Sequence, residues 1–311
     1  FIGEPVAAVA AIDEDTAQQA LELIDVEYEE LPPVFDPLLA MTESAPVLHP
    51  DVNAYVGLPE LLEKPSNIFA RNRIRKGEIE QGFTEADVVI EGTYTTPAVH
   101  QAYLESHSCV VQIDSSGRIH VWASNKSPYA MRQQVADAIG VPIERILVHH
   151  TYIGGDFGGK GSPMNVPLCY FLALHAERPV KMVMDYLEEF MAANPRHPSV
   201  ITLKTGVRGN GEIVAHQARV VFNSGAYAGF KPGGNLGGGG HAGGVYRMPN
   251  VDMEWIQVYT NTVPGGHYRA PGEPQAIFAI ESHMDVIARK LDMDPLEFRL
   301  RNVVREGDEM P

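Results

Sequence analysis

The sequence predicts an α+β fold in which hairpins and helices are mixed, rather than a regular series of βαβ units. Two hairpin signatures and a set of punctuated helices predict it. Residues 109–113 and 118–123 flank Asp114-Ser115-Ser116-Gly117, and residues 201–207 and 213–222 flank Arg208-Gly209-Asn210-Gly211; both connections have turn chemistry. Ser127-Pro128 and Asp294-Pro295 each set a capping side chain before a proline, and Gly140 followed by Pro142 stops the first of these helices.

In chain order, residues 6–12 form a short apolar run, and Asp15 or Thr16 is expected to cap a helix whose apolar face is Ala17, Ala20, Leu21 and Ile24. Val26, Tyr28 and Leu31 alternate with Asp25, Glu27, Glu29 and Glu30, as in a half-buried strand, so the opening reads β-α-β up to Pro32-Pro33. Residues 36–76 carry many prolines and no sustained period, which marks a domain boundary or wrapping connector. Residues 145–150 read as a strand, 163–175 as a helix and 180–185 as an apolar strand. Residues 225–244 are very rich in glycine, 275–291 are helical, and the helix after Asp294 carries Leu296, Phe298, Leu300 and Val303. No 20–50 residue repeat is visible.

Forty acidic side chains against 24 basic ones give a net charge of -16, which argues against a nucleic-acid partner because such partners attract cationic surfaces. No apolar run approaches the roughly 20 residues that span a bilayer. The chain has 2 cysteines, Cys109 and Cys169, too few and too far apart to hold an iron–sulfur cluster or a structural zinc. They read as reduced, buried thiols. Phe1 opens without Met, and residues 307–311 read as a linker cut short, so both ends are expected to be trimmed.

Three segments carry chemistry. Ile153-Gly154-Gly155-Asp156-Phe157-Gly158-Gly159-Lys160-Gly161-Ser162 lies between a strand and a helix, and its glycines let backbone N–H groups turn toward an anion. Gly154, Gly159 and Lys160 satisfy G-x-x-x-x-G-K, but Gly161 stands where a phosphate-binding loop needs Ser or Thr, and Pro163 interrupts the helix. Residues 265–275 offer one guanidinium, Arg269, among backbone-restricting residues just before a helix, a setting suited to an oxyanion or phosphate. His100-Gln101-Ala102-Tyr103-Leu104-Glu105-Ser106-His107 has polar groups on both faces of an extended segment, as a site-lining strand does, yet its spacing matches no metal site.

The loop 154–160, Tyr103-Leu104-Glu105, residues 268–275 and Asp294-Pro295-Leu296-Glu297-Phe298-Arg299-Leu300-Arg301-Asn302 together resemble the molybdopterin-binding large subunits of the xanthine dehydrogenase and aldehyde oxidase family, in the family's order and at comparable spacing. The resemblance implies that residues 1–45 are the C-terminal part of an α/β hammerhead domain, 46–78 a connector, and 79–311 the first part of a molybdenum-cofactor-binding domain of mixed sheets and helices. It implies a pterin-held molybdenum, with the pterin as a cytosine dinucleotide and no metal-ligating side chain. Gly154, Gly155, Asp156, Phe157, Gly158, Gly159, Arg269 and Gln101 would bind that cofactor. Val99, Gly161 and Pro271 would line the substrate pocket. They stand where purine-oxidising members have a glutamine, a glutamate and an aromatic ring, so an aldehyde or a non-purine heteroaromatic ring is the expected substrate.

The same resemblance implies a cytoplasmic, multi-subunit oxidoreductase that oxidises carbon with water as the oxygen source. Electrons would pass to iron–sulfur clusters and FAD on other chains or domains. The family's catalytic glutamate lies beyond Pro311, in the remaining C-terminal half of the subunit, so neither Glu105 nor Glu273 inherits that role and this stretch alone is expected to be inactive. Two other readings of the residues stay open at this point: a P-loop-like nucleotide hydrolase, and a non-catalytic assembly scaffold of the same fold.

Overall fold

The computed structural model describes residues 1–55, 61–227 and 236–308. Among them run α1 (Glu14–Leu21), α2 (Pro37–Ala40), β1 (Ile68–Lys76), α3 (Ile79–Thr84), β2 (Val88–Thr96), β3 (Ser108–Ile113), β4 (Ile119–Ala123), α4 (Pro128–Ile139) and β5 (Ile146–His149). There follow α5 (Val166–Ala176), β6 (Val180–Val183), α6 (Tyr186–Ala192), β7 (Ser199–Val207), β8 (Ile213–Gly225), β9 (Val251–Tyr259), α7 (Glu273–Lys290) and α8 (Pro295–Asn302). The fold is α+β, with two mixed sheets. The chain divides into two units: residues 1–32, 100–195 and 266–269 form the first, and 33–99, 196–265 and 270–311 the second.

The first unit holds a four-stranded sheet in the order β5-β4-β3-β6. β4 pairs antiparallel with β3 through the expected turn, β5 pairs parallel with β4, and β6 antiparallel with β3. Alternation decides its faces. Cys109, Val111, Ile119 and Val121 turn inward, onto Met131 and Val135 of α4 and Cys169 and Ala173 of α5. Burying each large aliphatic there contributes about 1.5–3 kcal/mol. Gly140 ends α4 in the left-handed conformation at φ 69, as expected. Ser127 does not cap α4 with its side chain; Asn125 Oδ1 instead accepts its N–H at 2.7 Å. α5 starts at Val166, three positions later than expected, because Met164 takes a left-handed φ of 42.

The opening β-α-β pattern is corrected. α1 forms, but its cap is Asp13, whose extended backbone (φ -152) lets Oδ1 accept from Thr16 N at 2.8 Å; Asp15 and Thr16 already lie inside the helix. Residues 6–12 and 26–31 belong to no strand ladder among the described residues. Alternation specifies a strand only where a neighbour supplies hydrogen bonds and covers one face, and here Ile12 is 94% and Leu31 75% exposed.

The second unit is built on a five-stranded sheet in the order β1-β9-β8-β7-β2, parallel only between β8 and β9. Its inner face, with Ile201, Leu203, Val220, Phe222, Met253 and Trp255, packs on Ala276, Ala279, Ile280, Met284 and Ile287 of α7. α8 is capped as expected, Asp294 Oδ1 accepting from Leu296 N and Glu297 N at 2.9 and 3.0 Å. The stretch 36–76, expected to be loop-like, ends in a full strand. Arg71, Arg73 and Arg75 mask β1 in the sequence, and Glu254 and Asp252 on β9 pair with them. Of the glycine-rich stretch 225–244, residues 228–235 lie outside the described residues, as do 56–60 of the connector and 309–311 of the closing linker.

A buried polar chain crosses this second core. His216 Nε2 faces the Ala242 carbonyl at 3.1 Å and so carries a proton, which leaves Nδ1 to accept from Thr205 Oγ1 at 2.9 Å. His283 Nε2 then donates to Thr205 Oγ1 at 3.1 Å, and its Nδ1 accepts from Tyr94 Oη at 3.0 Å. Burial depresses both imidazoles, His216 to about 3 and His283 to about 4, and the neighbouring His283 further lowers the affinity of His216 for a second proton. Unfolded histidines take that proton near 6.5, so the contribution to stability is intact above about pH 6.5 and declines as pH falls toward 4. The slope reaches about 1.4 kcal/mol per pH unit for each histidine. Thermal melts from pH 7.5 to 5 are expected to show a falling midpoint; a midpoint independent of pH over that range would contradict this chain of bonds.

Candidate functional site

Every residue singled out as cofactor-binding lies in the first unit. The loop after β5 is wound on its own acidic residue. Asp156 Oδ2 accepts from Gly158 N at 2.8 Å, Oδ1 from Lys160 N at 2.7 Å, and its carbonyl from Gly159 N at 2.8 Å. Gly154 N donates to Glu105 Oε2 at 2.8 Å. The expected outward-facing anion nest is therefore corrected: these four amides are used inside the loop, because two carboxylates and a carbonyl already supply the acceptors. Lys126 Nζ lies 3.2 Å from Asp156 and balances its charge.

Winding the loop on Asp156 leaves Phe157 at its tip, half exposed at 52% and held at φ 48, a conformation rare for a bulky residue. The Arg269 turn meets it directly, Arg269 N donating to the Phe157 carbonyl at 2.8 Å. Gly158, at φ +113, passes so close to that turn that an added Cβ would stand 2.8 Å from the His267 carbonyl oxygen. Gly159 is as confined: its Cβ would meet Gln101 Cδ and Tyr103 Cε1, each at 2.9 Å. Gln101 is buried, and its Nε2 donates to the carbonyls of Asn194 (2.8 Å) and His267 (2.7 Å). Two carbonyls fix the amide's orientation, so Oε1 is the free end, buried and without a donor among the described residues.

A charged network underlies this surface. α6 begins with a capping box of Asp185 and Glu188, which sets Glu189 inward and completely buried. Tyr103 Oη donates to Glu189 at 2.7 Å, His107 donates from its backbone N and, at 3.0 Å, from Nδ1, and His100 Nε2 stands 3.6 Å away. Burial works to raise the pKa of Glu189, but His100 and His107 overcome it and hold the carboxyl well below the usual range. Tyr103 is pushed well above its ordinary value, by burial and then by Glu189. The segment 100–107 is thus not the two-faced strand expected; Ala102 turns it at φ 54, with Gln101, Tyr103 and His107 inward. Among the described residues no three His, Cys, Asp or Glu groups are arranged to hold a metal ion.

A family model described as molybdopterin cofactor-binding domain matches residues 61–303. The chain belongs to the molybdopterin cofactor-binding family. It is 36% identical over 308 residues to a Bacillus subtilis protein named as a probable xanthine dehydrogenase subunit, covering 99% of this chain and 40% of that one. It is 32% identical over 305 residues to the "Nicotinate dehydrogenase large molybdopterin subunit" of Eubacterium barkeri, covering 98% of this chain and 68% of the relative. The aldehyde oxidoreductase structure from Desulfovibrio gigas superimposes with a TM-score of 0.85 at 28% identity, over 97% of this chain and 32% of the other. The chain thus spans 40% of the length of the Bacillus relative.

The placement of Lys160 separates this loop from a phosphate-binding one. Lys160, which a P-loop would extend toward phosphates, is fully buried, 2.6 Å from Glu105 Oε2 and 4.6 Å from the centroid of the Tyr103 ring. Glu105, bound to Lys160 and Gly154, is likewise a structural anchor. Of the three expected pocket residues, Gly161 is buried in the first unit, whereas Val99 and Pro271 belong to the second. There Val99 is 40% exposed and bridged to Arg196, and the Pro271 carbonyl lies against Gly238. Among the described residues no helix is long and apolar enough to cross a membrane. Sequence reading missed Glu189 and Asn194, and it placed His267 in the 265–275 stretch without its carbonyl's contact to Gln101; only the Asp185-x-x-Glu188 pattern hinted that the next residue begins an inward helix face.

Proposed function

We propose that this chain carries the molybdenum-cofactor cradle of a hydroxylase that oxidises an aldehyde or N-heteroaromatic carbon with water as the oxygen source. The observation that carries the reading is the meeting of Phe157, Arg269 and Gln101 in one unit, with the buried Gln101 Oε1 lacking a protein donor among the described residues. An orphaned buried acceptor is costly unless a ligand donor satisfies it, and a pterin's ring N–H groups are such donors. Phe157 would supply an apolar wall. Gly158 and Gly159 admit a close approach of backbone, and the Arg269 guanidinium suits an oxyanion or the cofactor's phosphate. When bound, the molybdopterin group supplies the two-electron oxidation, and the protein's part is to bind and orient it.

Gly161, in the first unit, is our candidate for the substrate pocket, and its lack of a side chain fits a non-purine substrate. The name of the Eubacterium barkeri relative, a large molybdopterin subunit of nicotinate dehydrogenase, supports a nitrogen heterocycle within that class. We assign the cofactor as the cytosine dinucleotide form. We place the iron–sulfur and FAD groups on partner subunits in the cytoplasm, and the general base in the C-terminal half of the subunit. Elemental analysis of the full-length, co-expressed complex is expected to find about one molybdenum per large subunit. An active preparation without molybdenum would refute the reading.

A further inference from the structure

Beneath the outgoing end of the Phe157 loop, the first unit holds a cavity of about 10 Å³ lined by His107, Ser124, Asn125, Ser162 and Met182, among others. That is the space of a single water. Two buried polar atoms on its lining residues, His107 Nε2 and Ser162 Oγ, have no hydrogen-bond partner among the described residues. His107 Nδ1 lies 3.0 Å from both oxygens of Glu189, and a carboxylate can only accept, so Nδ1 donates to it. With Nδ1 engaged by Glu189, Nε2 is the ring nitrogen of this cavity-lining residue that still needs a partner. Ser162 Oγ can donate or accept, while its carbonyl is fixed by Asn125 Nδ2 at 2.7 Å. A cavity of this size, with two unmet polar atoms, is what a structural water occupies.

We propose that one ordered water bridges His107 Nε2 to Ser162 Oγ, and that through it the Glu189–His107 pair positions the outgoing end of the cofactor loop. The segment 101–107 then controls the whole loop. Glu105 ties its incoming end through Gly154 N and the Lys160 ammonium, Gln101 and Tyr103 underlie Gly159, and His107 ties its exit through the water. His107 and Glu189 are positioning residues in this scheme. The water stands on the geometry alone; its significance for the cofactor rests on the function proposed above.

The test is the sign of a stability change, paired with a spectroscopic signature, in the full-length protein. Ser162→Val fills the cavity with methyl groups. If the site is wet, the variant expels the water, strands His107 Nε2 and lowers the melting midpoint by about 3–6 °C; Ser162→Ala, which only removes one partner, lowers it less. A raised midpoint for Ser162→Val would mean a dry cavity and overturn the proposal. So would a high-resolution crystal structure without solvent density between His107 Nε2 and Ser162 Oγ. In Ser162→Val we also expect an altered line shape in the molybdenum(V) paramagnetic resonance spectrum. A spectrum identical to wild type, with the water seen, would overturn the positioning role. A wild-type protein without molybdenum would instead overturn the proposed function, while density and melting midpoint still decide the water.

Discussion

Glu189→Leu is expected to destabilise the first unit by about 3–5 kcal/mol, the range for removing one partner of a buried charged network. The carboxylate is fully buried and takes hydrogen bonds from Tyr103 Oη, His107 N and His107 Nδ1. Leucine fills the space and satisfies none of these donors, so three polar groups would lose their partner at once. Glu189→Gln keeps one acceptor oxygen but turns an amide donor toward the others, and is expected to cost about 1–3 kcal/mol. Denaturant unfolding reads both. A midpoint for Glu189→Leu within experimental error of wild type would contradict the role of this network.

The second large effect is expected at Gly158. Its φ of +113 is open to glycine and strained for any L-side chain, and an added Cβ would sit 2.8 Å from the His267 carbonyl oxygen and 2.9 Å from the carbon behind it. Both atoms are backbone and cannot swing aside. Gly158→Val therefore incurs about 1–3 kcal/mol of local strain, or separates the loop from the Arg269 turn. If the two segments bind the cofactor together, the affinity of the full-length protein for it falls at least about tenfold, a loss of about 1.4 kcal/mol in binding, and the molybdenum content of the purified protein falls with it. Gly140→Ala is the control. It also has positive φ (+69), but an added Cβ meets nothing within 4 Å, so it should cost about 1–2 kcal/mol and leave molybdenum content unchanged.

What could be read from the sequence was local. The turns at 114–117 and 208–211, the Gly140 stop and the Asp294 cap depend on a few adjacent residues, and all four form as expected. The strands expected at 6–12 and 26–31 failed because their pattern describes one chain, while a strand requires a neighbour. β1 was hidden for the converse reason: Arg71, Arg73 and Arg75 disguise a strand whose charges are matched across the sheet by Asp252 and Glu254. The glycine loop was located correctly by its composition, but not its use of Asp156 as an internal acceptor, which consumes the amides an anion would need. Glu189, Asn194 and His267 reach Gln101 and His107 across 82 to 166 residues of chain, and no short-range pattern encodes such a meeting.

The most direct measurement is a crystal structure of the full-length protein with its cofactor bound. Pterin density in contact with Phe157, with a donor facing Gln101 Oε1 and the Arg269 turn closing the same cradle, is the predicted result. Pterin density elsewhere in the protein, with Gln101 Oε1 still buried and unmet, would contradict the assignment of this site.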